Sequence, residues 1–307
     1  MNMNTQYDFS PLDPSALSHN LQEDRKSSTG YWQDAWIRLK KDRAAMLGMG
    51  FILFMMLSAI FIPMVSGISY ADQDLSQTNL PPSMEHYFGT DNLGRDMFIR
   101  VLYGARISLS IGVVASLINL FIGVLYGGIS GFVGGRTDRI MMNIVDILYS
   151  VPTLLYVILL MVVFKPGLLN IYIALGISYW LQMARIVRGE VLKIKEQEFV
   201  LAARSMGASS RRILFRHLVP NAVGVIIVSL SLSIPDAIFT EAFLSFIGLG
   251  VSAPMASWGV LCNDGINTMR AYPFQLFFPA VAISLTMLAF NFFSDGLRDA
   301  LDPKMRR

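Results

Sequence analysis

The chain has 307 residues, of which 53% are hydrophobic and only 15% carry a charge. This composition is typical of an integral membrane protein and excludes an ordinary water-soluble globular domain. The formal net charge of +3 gives no reason to expect a nucleic-acid partner. The single cysteine, Cys262, excludes an internal disulfide and a cysteine metal cluster.

Six apolar stretches are long enough to cross a bilayer, for which a helix needs roughly 20 residues. They cover residues 47–65, 107–132, 140–164, 168–184, 222–251 and 273–293. Continuous apolar runs are typical of helices, whereas the strands of a membrane barrel alternate polar and apolar residues. The sequence therefore predicts an all-α integral membrane protein with six transmembrane helices.

Basic residues are distributed unevenly between the predicted loops, which predicts the orientation in the membrane. With both termini on one side, that side holds 20 Lys and Arg residues against 5 on the other. We therefore expect both termini, and the loop at 188–221, in the cytoplasm. Residues 1–46 are predicted to be a cytoplasmic tail with a basic juxtamembrane segment, which suits a helix on the membrane surface or an ordinary basic flank. Residues 47–307 are the predicted transmembrane domain, with its core at about 104–295.

The long loop before the second span, residues 66–106, is predicted to lie outside and to be rich in turns. Asp96 is placed to cap the helix that continues into the second span. The loop is interpreted either as a structural entry to that helix or as a docking surface for an outer partner. Within the span, Gly123, Gly127 and Gly131 predict the close approach of a neighbouring helix.

No motif for catalysis or nucleotide binding occurs in the sequence. The Gly-x-x-x-x-Gly-Lys-Ser/Thr pattern of an ATP-binding loop is absent, and the three histidines lie on different segments. We therefore predict that the chain is not an enzyme, holds no metal and binds no cofactor itself.

Polar side chains recur at helical spacing inside two of the predicted spans. They are Asn143, Asp146, Ser150 and Thr153 in the third span, and Ser229, Ser233, Asp236 and Thr240 in the fifth, with Glu241 beside them. A charged residue within a bilayer is costly, so both faces are expected to point into the bundle or a wet cavity. One interpretation is hydrogen bonding between helices. The other is the lining of a pathway, for which the candidates are Asp146, Ser150, Asp236, Thr240 and Glu241.

The polar loop after the fourth predicted span has the composition of two short helices that meet at a glycine. In the first helix, Phe199, Ala202, Ala203 and Met206 are predicted to share one face. Gly207 can adopt the left-handed conformation that ends this helix.

The second short helix is predicted to begin after a serine cap, at Ser209 or Ser210. Pro220 is expected to break the chain before the next span. Arg211 and Arg212 suit an acidic rim on a partner. The loop is interpreted either as a rigid elbow that fills a groove of a partner or as a basic loop that only follows the positive-inside rule.

The spacing of this loop resembles that of the coupling loop of ABC-importer permeases, whose pattern is Glu-Ala-Ala, three residues, Gly, nine residues and Ile-x-Leu-Pro. Four positions match: Ala202, Ala203, Gly207 and Pro220. Three depart, with Leu201 in place of Glu, His217 in place of Ile and Val219 in place of Leu. The resemblance implies that a separate ATPase subunit contacts the loop, through Glu198, Ala202, Ala203, Gly207, Arg211, Arg212 and Pro220.

The resemblance extends over residues 32–307, to the peptide-transport branch of these permeases and within it to the C-type subunit of oligopeptide importers. It rests on FGTDNLGRD at 88–96, WLQMARIVRGEVL at 180–192, FLSFIGLG at 243–250 and DGLRDALDPK at 295–304. It implies a type I importer bundle in a bacterial cell membrane that forms half of an ATP-driven pathway for oligopeptides. The implied partners are a second permease subunit, two ATPases that bind ATP and Mg²⁺, an extracellular or periplasmic binding protein, and the peptide.

Other functions remain open at this point. The substrate could instead be dipeptides, glutathione or nickel chelates, because the binding protein largely sets specificity in this family. A proton-coupled secondary transporter would use Asp146, Asp236 and Glu241, although no inverted repeat is visible in the sequence. A membrane scaffold without transport activity is the third alternative.

Overall fold

A computed structural model describes residues 30–302, so residues 1–29 of the predicted tail and residues 303–307 lie outside the described part. The described chain is helical, with no strand beyond an isolated bridge between Thr90 and Asp96. Its α-helices in order are α1 (Tyr31–Lys41), α2 (Arg43–Val65), α3 (Met97–Val133), α4 (Gly135–Tyr149), α5 (Thr153–Phe164), α6 (Leu168–Ile194), α7 (Glu198–Ser205), α8 (Ser210–Ile213), α9 (Val219–Phe246), α10 (Trp258–Thr268) and α11 (Phe274–Leu301).

Four helical stretches in the described residues have the length and hydropathy of membrane spans: α2, α3, the continuous helix Ser210–Phe246, and α11. A fifth results if α4 and α5 form one bent span. The all-helical membrane fold is thus confirmed, whereas the predicted number of six spans is not reached by this criterion. The fourth predicted span corresponds to α6, in which Asn170 and Gln182 interrupt the apolar run.

The third predicted span, residues 140–164, is wrong as a single helix. The chain forms α4 and α5 there, and the two helices are bent by 81° at the break between them. Pro152 has no N–H to donate, and it disfavours the helical conformation of the residue before it. Thr153 therefore starts a new helix and does not share a face with Asp146 and Ser150.

Helix α3 lies at the centre of the bundle and packs against α6 along a row of glycines. A Cβ added at Gly127 would overlap the carbonyl oxygen of Ala184, and one at Gly123 would overlap the side chain of Met183. Gly131 also faces the backbone of α6. The predicted close approach of a neighbouring helix is confirmed, and it requires the absence of side chains at these positions.

The loop between α2 and α3 is held by buried charges. Asp91 accepts hydrogen bonds from Nε of Arg95, at 2.6 Å, and from Arg100, and all three side chains are buried. Asp96 accepts from the backbone N–H of Ile99 at 2.9 Å, which confirms its predicted role as a helix cap. Because these carboxylates are occupied within the fold, the arrangement favours the structural interpretation of this loop.

Helix α1 packs on the end of α11 and exposes aromatic residues on its other side. Leu39 clusters with Ala300 of α11, and Asp42 caps α2. Trp32 and Trp36 are exposed. The predicted helix in the tail is confirmed, but the predicted domain boundary after residue 46 falls inside α2.

Cys262 lies in α10, where the sequence predicts a loop. It is only 9% exposed, and burial raises the pKa of its thiol to about 11. The packing of α10 therefore shields Cys262 from water-soluble thiol reagents.

We expect Cys262 to resist maleimide labelling in the folded protein at pH 8, because it is buried and only about a thousandth of such thiols would be ionised. Mass spectrometry of the purified protein before and after unfolding measures the labelled fraction. In a Cys262→Ser background, Asn267→Cys on the exposed side of α10 is the control and should label readily. Rapid labelling of Cys262 in the folded protein would contradict the packing described here.

Candidate functional site: an elbow and a polar cavity

The elbow, residues 198–220, begins with two short helices that meet at a glycine turn. Gly207 separates α7 from α8 and has a φ of +80°, in the left-handed region that favours glycine. Ser209 caps α8, since its hydroxyl accepts from the backbone N–H of Arg212 at 3.4 Å. The predicted turn and the predicted serine cap are both confirmed.

Only one of the two adjacent alanines of the elbow is open to a partner. Ala202 is exposed, whereas Ala203 is 5% exposed and packs toward the protein, as does Val200. The prediction that these alanines share one face with Phe199 and Met206 is therefore wrong. Phe199, Ala202 and Met206 point outward, whereas Ala203 points toward the protein. The reason is geometric: adjacent residues of a helix point about 100° apart.

The exposed side of α7 and α8 combines apolar and charged side chains, and we call it the elbow surface. Its apolar members are Phe199, Leu201 and Met206, with exposures of 41%, 45% and 82%. Its charged members are also exposed: Glu198, Arg204, Arg211 and Arg212. Contiguous apolar residues that stay exposed beside charges are typical of a protein–protein contact.

Pro220 does not break the chain, contrary to the prediction. A π-helical turn at Leu214–Leu218 joins α8 to α9, and the helix runs without interruption over Ser210–Phe246. In this turn the N–H of Val219 bonds to the carbonyl of Leu214, one residue further back than in an α-helix. The wider turn accommodates the ring of Pro220 at the start of α9. The elbow is therefore continuous with a helix of the bundle.

A cluster of charges fixes the other side of the elbow, where α6 leads into it. Asp138 of α4 accepts two hydrogen bonds from Arg188 of α6, at 2.5 and 2.6 Å, and one from the hydroxyl of Ser130, at 2.6 Å. Lys195 donates to the carbonyl of Gly131 at 3.0 Å. A bidentate arginine–carboxylate pair fixes orientation as well as distance. This cluster could not be predicted from the sequence, because nothing local relates partners that lie 50 residues apart.

A polar face of α9 lines two adjoining cavities that open at the side of the bundle, where Asp236 is exposed. Ser229, Ser233 and Asp236 border a cavity of about 80 Å³, and Asp236 and Thr240 border a second of about 350 Å³. The four residues thus share one side of α9, as the spacing predicts. The assignment of this side to a transport pathway stays a prediction.

Helices α3 and α6 supply the opposite walls of these cavities. Asn119 of α3 lines the smaller cavity, and Tyr179 and Gln182 of α6 line both. The hydroxyl groups of Tyr179 and Thr240 are hydrogen bonded at 2.6 Å. Asn119, Tyr179 and Gln182 are not among the residues predicted to line a pathway, although polar side chains within apolar runs are themselves a signal.

Asp146 and Ser150 border neither of the two cavities. The carboxylate of Asp146 pairs with Arg185 of α6 at 2.5 Å, and the guanidinium of Arg185 lies 4.2 Å from the ring centre of Tyr149. The charge of Asp146 is thus already matched within the chain. This placement favours a contact between α4 and α6 over a bare carboxylate in a pathway.

Glu241 is fully buried and borders neither cavity. Its carboxylate accepts hydrogen bonds from the hydroxyl of Ser108 on α3, at 2.9 Å, and from that of Ser245, at 2.6 Å. Ser257, which caps α10, is hydrogen bonded to Ser245 at 3.2 Å. The acid therefore joins α3, α9 and the start of α10, and its position favours interhelical hydrogen bonding over pathway lining.

Two protein-family models match this chain. The model described as binding-protein-dependent transport system inner membrane component matches residues 120–307. The chain belongs to this family. A second model, described as the N-terminal TM domain of oligopeptide transport permease C, matches residues 30–82 of the permease. The permease is thus a multi-pass membrane protein of a transport system that depends on a binding protein.

Relatives extend the similarity over nearly the whole permease. The oligopeptide transport system permease protein OppC of Bacillus subtilis (strain 168) is 55% identical over 92% of each chain. The dipeptide transport system permease protein DppC of the same organism is also 55% identical, over 92% of this chain and 89% of its own. OppC of Escherichia coli (strain K12) is 47% identical over 90% of this chain and 92% of its own. The resemblance to the peptide-transport branch is confirmed.

We expect Gly207→Ala to destabilise the elbow by about 1 kcal/mol, because any Cβ opposes the left-handed conformation. The cost comes from the backbone alone, since a Cβ there meets no atom within 4 Å. The matched control is Gly189→Ala in α6, which also has free space and should stabilise its helix by up to about 1 kcal/mol. Hydrogen exchange of residues 198–213 measures the change, and equal protection in both variants would contradict the strain argument.

We expect Glu241→Leu to lower the free energy of unfolding by about 2 kcal/mol or more, because it leaves two buried hydroxyls without an acceptor. Glu241→Gln should cost less, since an amide still offers an acceptor and a hydroxyl can turn to accept from its NH₂ group. Thermal unfolding of the purified permease ranks the variants, with Asp146→Asn as an exposed control. A Glu241→Leu protein as stable as the parent would refute the interhelical role.

Proposed function

We propose that the chain is one permease subunit of an ATP-driven importer for oligopeptides and forms half of the translocation pathway. The elbow surface carries this proposal, because exposed apolar residues flanked by arginines support a docking site for a protein with a groove and an acidic rim. The sequence has no nucleotide-binding motif, so the energy source must be a separate subunit. An ATPase that docks on the elbow supplies it.

In this proposal, two ATPases bind ATP and Mg²⁺ in the cytoplasm, where both termini of the permease lie. ATP favours the closed form of the ATPases, and it can shift the permease only through contacts that differ between its two states. The elbow moves with the ATPases, and the continuous helix through α9 carries the movement to Asp236 and Thr240. A second permease subunit covers the open side of the cavities, and an extracellular or periplasmic binding protein delivers the peptide.

A second candidate function is the import of dipeptides. It is favoured by the 55% identity to the DppC protein of Bacillus subtilis, which equals the identity to the OppC protein. Glutathione and nickel chelates belong to the same class of alternatives. A proton-coupled transporter is the alternative from another class, and it would need neither the elbow surface nor an ATPase.

Uptake of labelled peptides by the complete reconstituted complex tests the proposal. The five components are incorporated into vesicles, and peptides of two to eight residues are supplied with the binding protein. We expect ATP-dependent uptake that is strongest for peptides longer than two residues. Uptake confined to dipeptides would select the second candidate. Uptake by the permease subunits alone, driven by a proton gradient, would refute the coupling to ATPases.

We expect Ala202→Glu to abolish docking of the ATPases, because Ala202 is exposed on α7 beside Leu201 of the elbow surface, and a carboxylate there adds bulk and charge without disturbing the fold. The matched control is Gly189→Glu, which adds the same side chain to free space on α6, outside that surface. Co-purification of the ATPases and peptide uptake are measured for both variants. Full co-purification and uptake with Ala202→Glu would show that the elbow surface is a solvated loop.

A further inference from the structure

The carboxylate of Asp236 has no partner in the part of the chain that the structure describes. The backbone carbonyl of this residue accepts from the hydroxyl of Tyr179 at 3.2 Å, but no described side chain bonds or pairs with the carboxylate. Asp236 lies in the middle of α9, inside a membrane span. An unpaired charge at that depth is expensive, so such a residue points to a ligand.

A second acceptor without a partner lies in the same place. Asn119 is 2% exposed and lines the smaller cavity together with Asp236, and no donor among residues 30–302 bonds to its Oδ1 atom. A buried polar atom left unsatisfied costs about 1–3 kcal/mol. Two polar side chains whose oxygen acceptors lack a donor among the described residues therefore border one cavity, and they come from different helices, α3 and α9.

The chemistry that satisfies both acceptors is a cation with several N–H donors. None of the residues that line the two cavities is Lys, Arg or His. The cation must therefore come from outside this lining. The larger cavity, of about 350 Å³, is in the range of small-ligand sites and has room for the terminal residue of a peptide.

We propose that Asp236 and Asn119 bind the N-terminal ammonium group of the transported peptide as it passes through the bundle. This inference rests on the proposed function, and it names the part of the substrate that the cavity recognises. An ammonium group has three donors, which is enough for the carboxylate, the amide oxygen and a hydroxyl of α9. Every unmodified peptide carries it whatever its sequence, so a site for it suits a transporter of varied peptides.

Carbodiimide coupling in the reconstituted complex tests the contact directly. The carboxylate adds to the carbodiimide to form an O-acylisourea, and a nearby amine then displaces the reagent as a urea and forms an amide. Tetra-alanine is supplied with the binding protein, and the ATPases are arrested with vanadate. We expect mass spectrometry to find tetra-alanine joined through its amino group to the fragment that contains Asp236. The adduct should be absent from Asp236→Asn.

Uptake of tetra-alanine by the same complex supplies the second readout. Asp236→Asn should lower uptake about tenfold, which is the effect of losing one charge-assisted hydrogen bond. Asn119→Ala should lower it less. The matched control, Asp146→Asn, removes a carboxylate that borders neither cavity and should change uptake less than twofold.

The results of the coupling and uptake experiments distinguish a failure of this inference from a failure of the proposed function. If the parent complex takes up no peptide, the proposed function fails. If the parent takes up tetra-alanine but Asp236 couples to nothing, or couples to a lysine of the facing permease subunit, the inference is overturned. Normal uptake by Asp236→Asn would overturn it as well.

Discussion

The contact between α3 and α6 is the constraint on which the rest of the arrangement depends. Lipid tails are as apolar as leucine, so two helices in a bilayer stay together through close packing and polar contacts. Gly127 and Gly123 permit that packing because the backbone of Ala184 and the side chain of Met183 on α6 occupy the space that their side chains would need. Helix α6 then brings Tyr179 to the cavities and Arg188 to Asp138. Both candidate sites therefore depend on the same contact.

The elbow and the cavities are joined by one continuous helix. Because the π-helical turn carries the chain past Pro220 without a break, a displacement of α8 reaches Asp236 through about six turns of helix. Before the elbow, the pair formed by Asp138 and Arg188 ties α6 to α4. A helix held at such a junction transmits a movement, whereas a flexible hinge would absorb it. In the proposed function, this connection is the physical route by which ATPases on the elbow would drive transport.

The sequence predicted features that obey local rules and missed those that depend on distant partners. The left-handed turn at Gly207 and the cap at Asp96 were predictable, because each depends on backbone conformation within a few residues. The inward position of Ala203 was not predictable, since it depends on which part of the protein α7 packs against. The pairing of Arg188 with Asp138 was not predictable either, because it depends on where the bend between α4 and α5 places α4 relative to α6. Pro220 was misjudged because a π-helical turn leaves no sequence pattern that we can read.

Site-specific photo-crosslinking tests the docking of ATPases on the elbow surface most directly. A photoreactive amino acid is placed at Met206, the most exposed apolar position of that surface, and at Ile140 on α4 as an exposed control. After irradiation of the assembled complex, the account predicts a covalent product between the Met206 position and an ATPase, and none from the Ile140 position. An efficient product at Ile140, or none at Met206 in a complex that transports peptide, would contradict it.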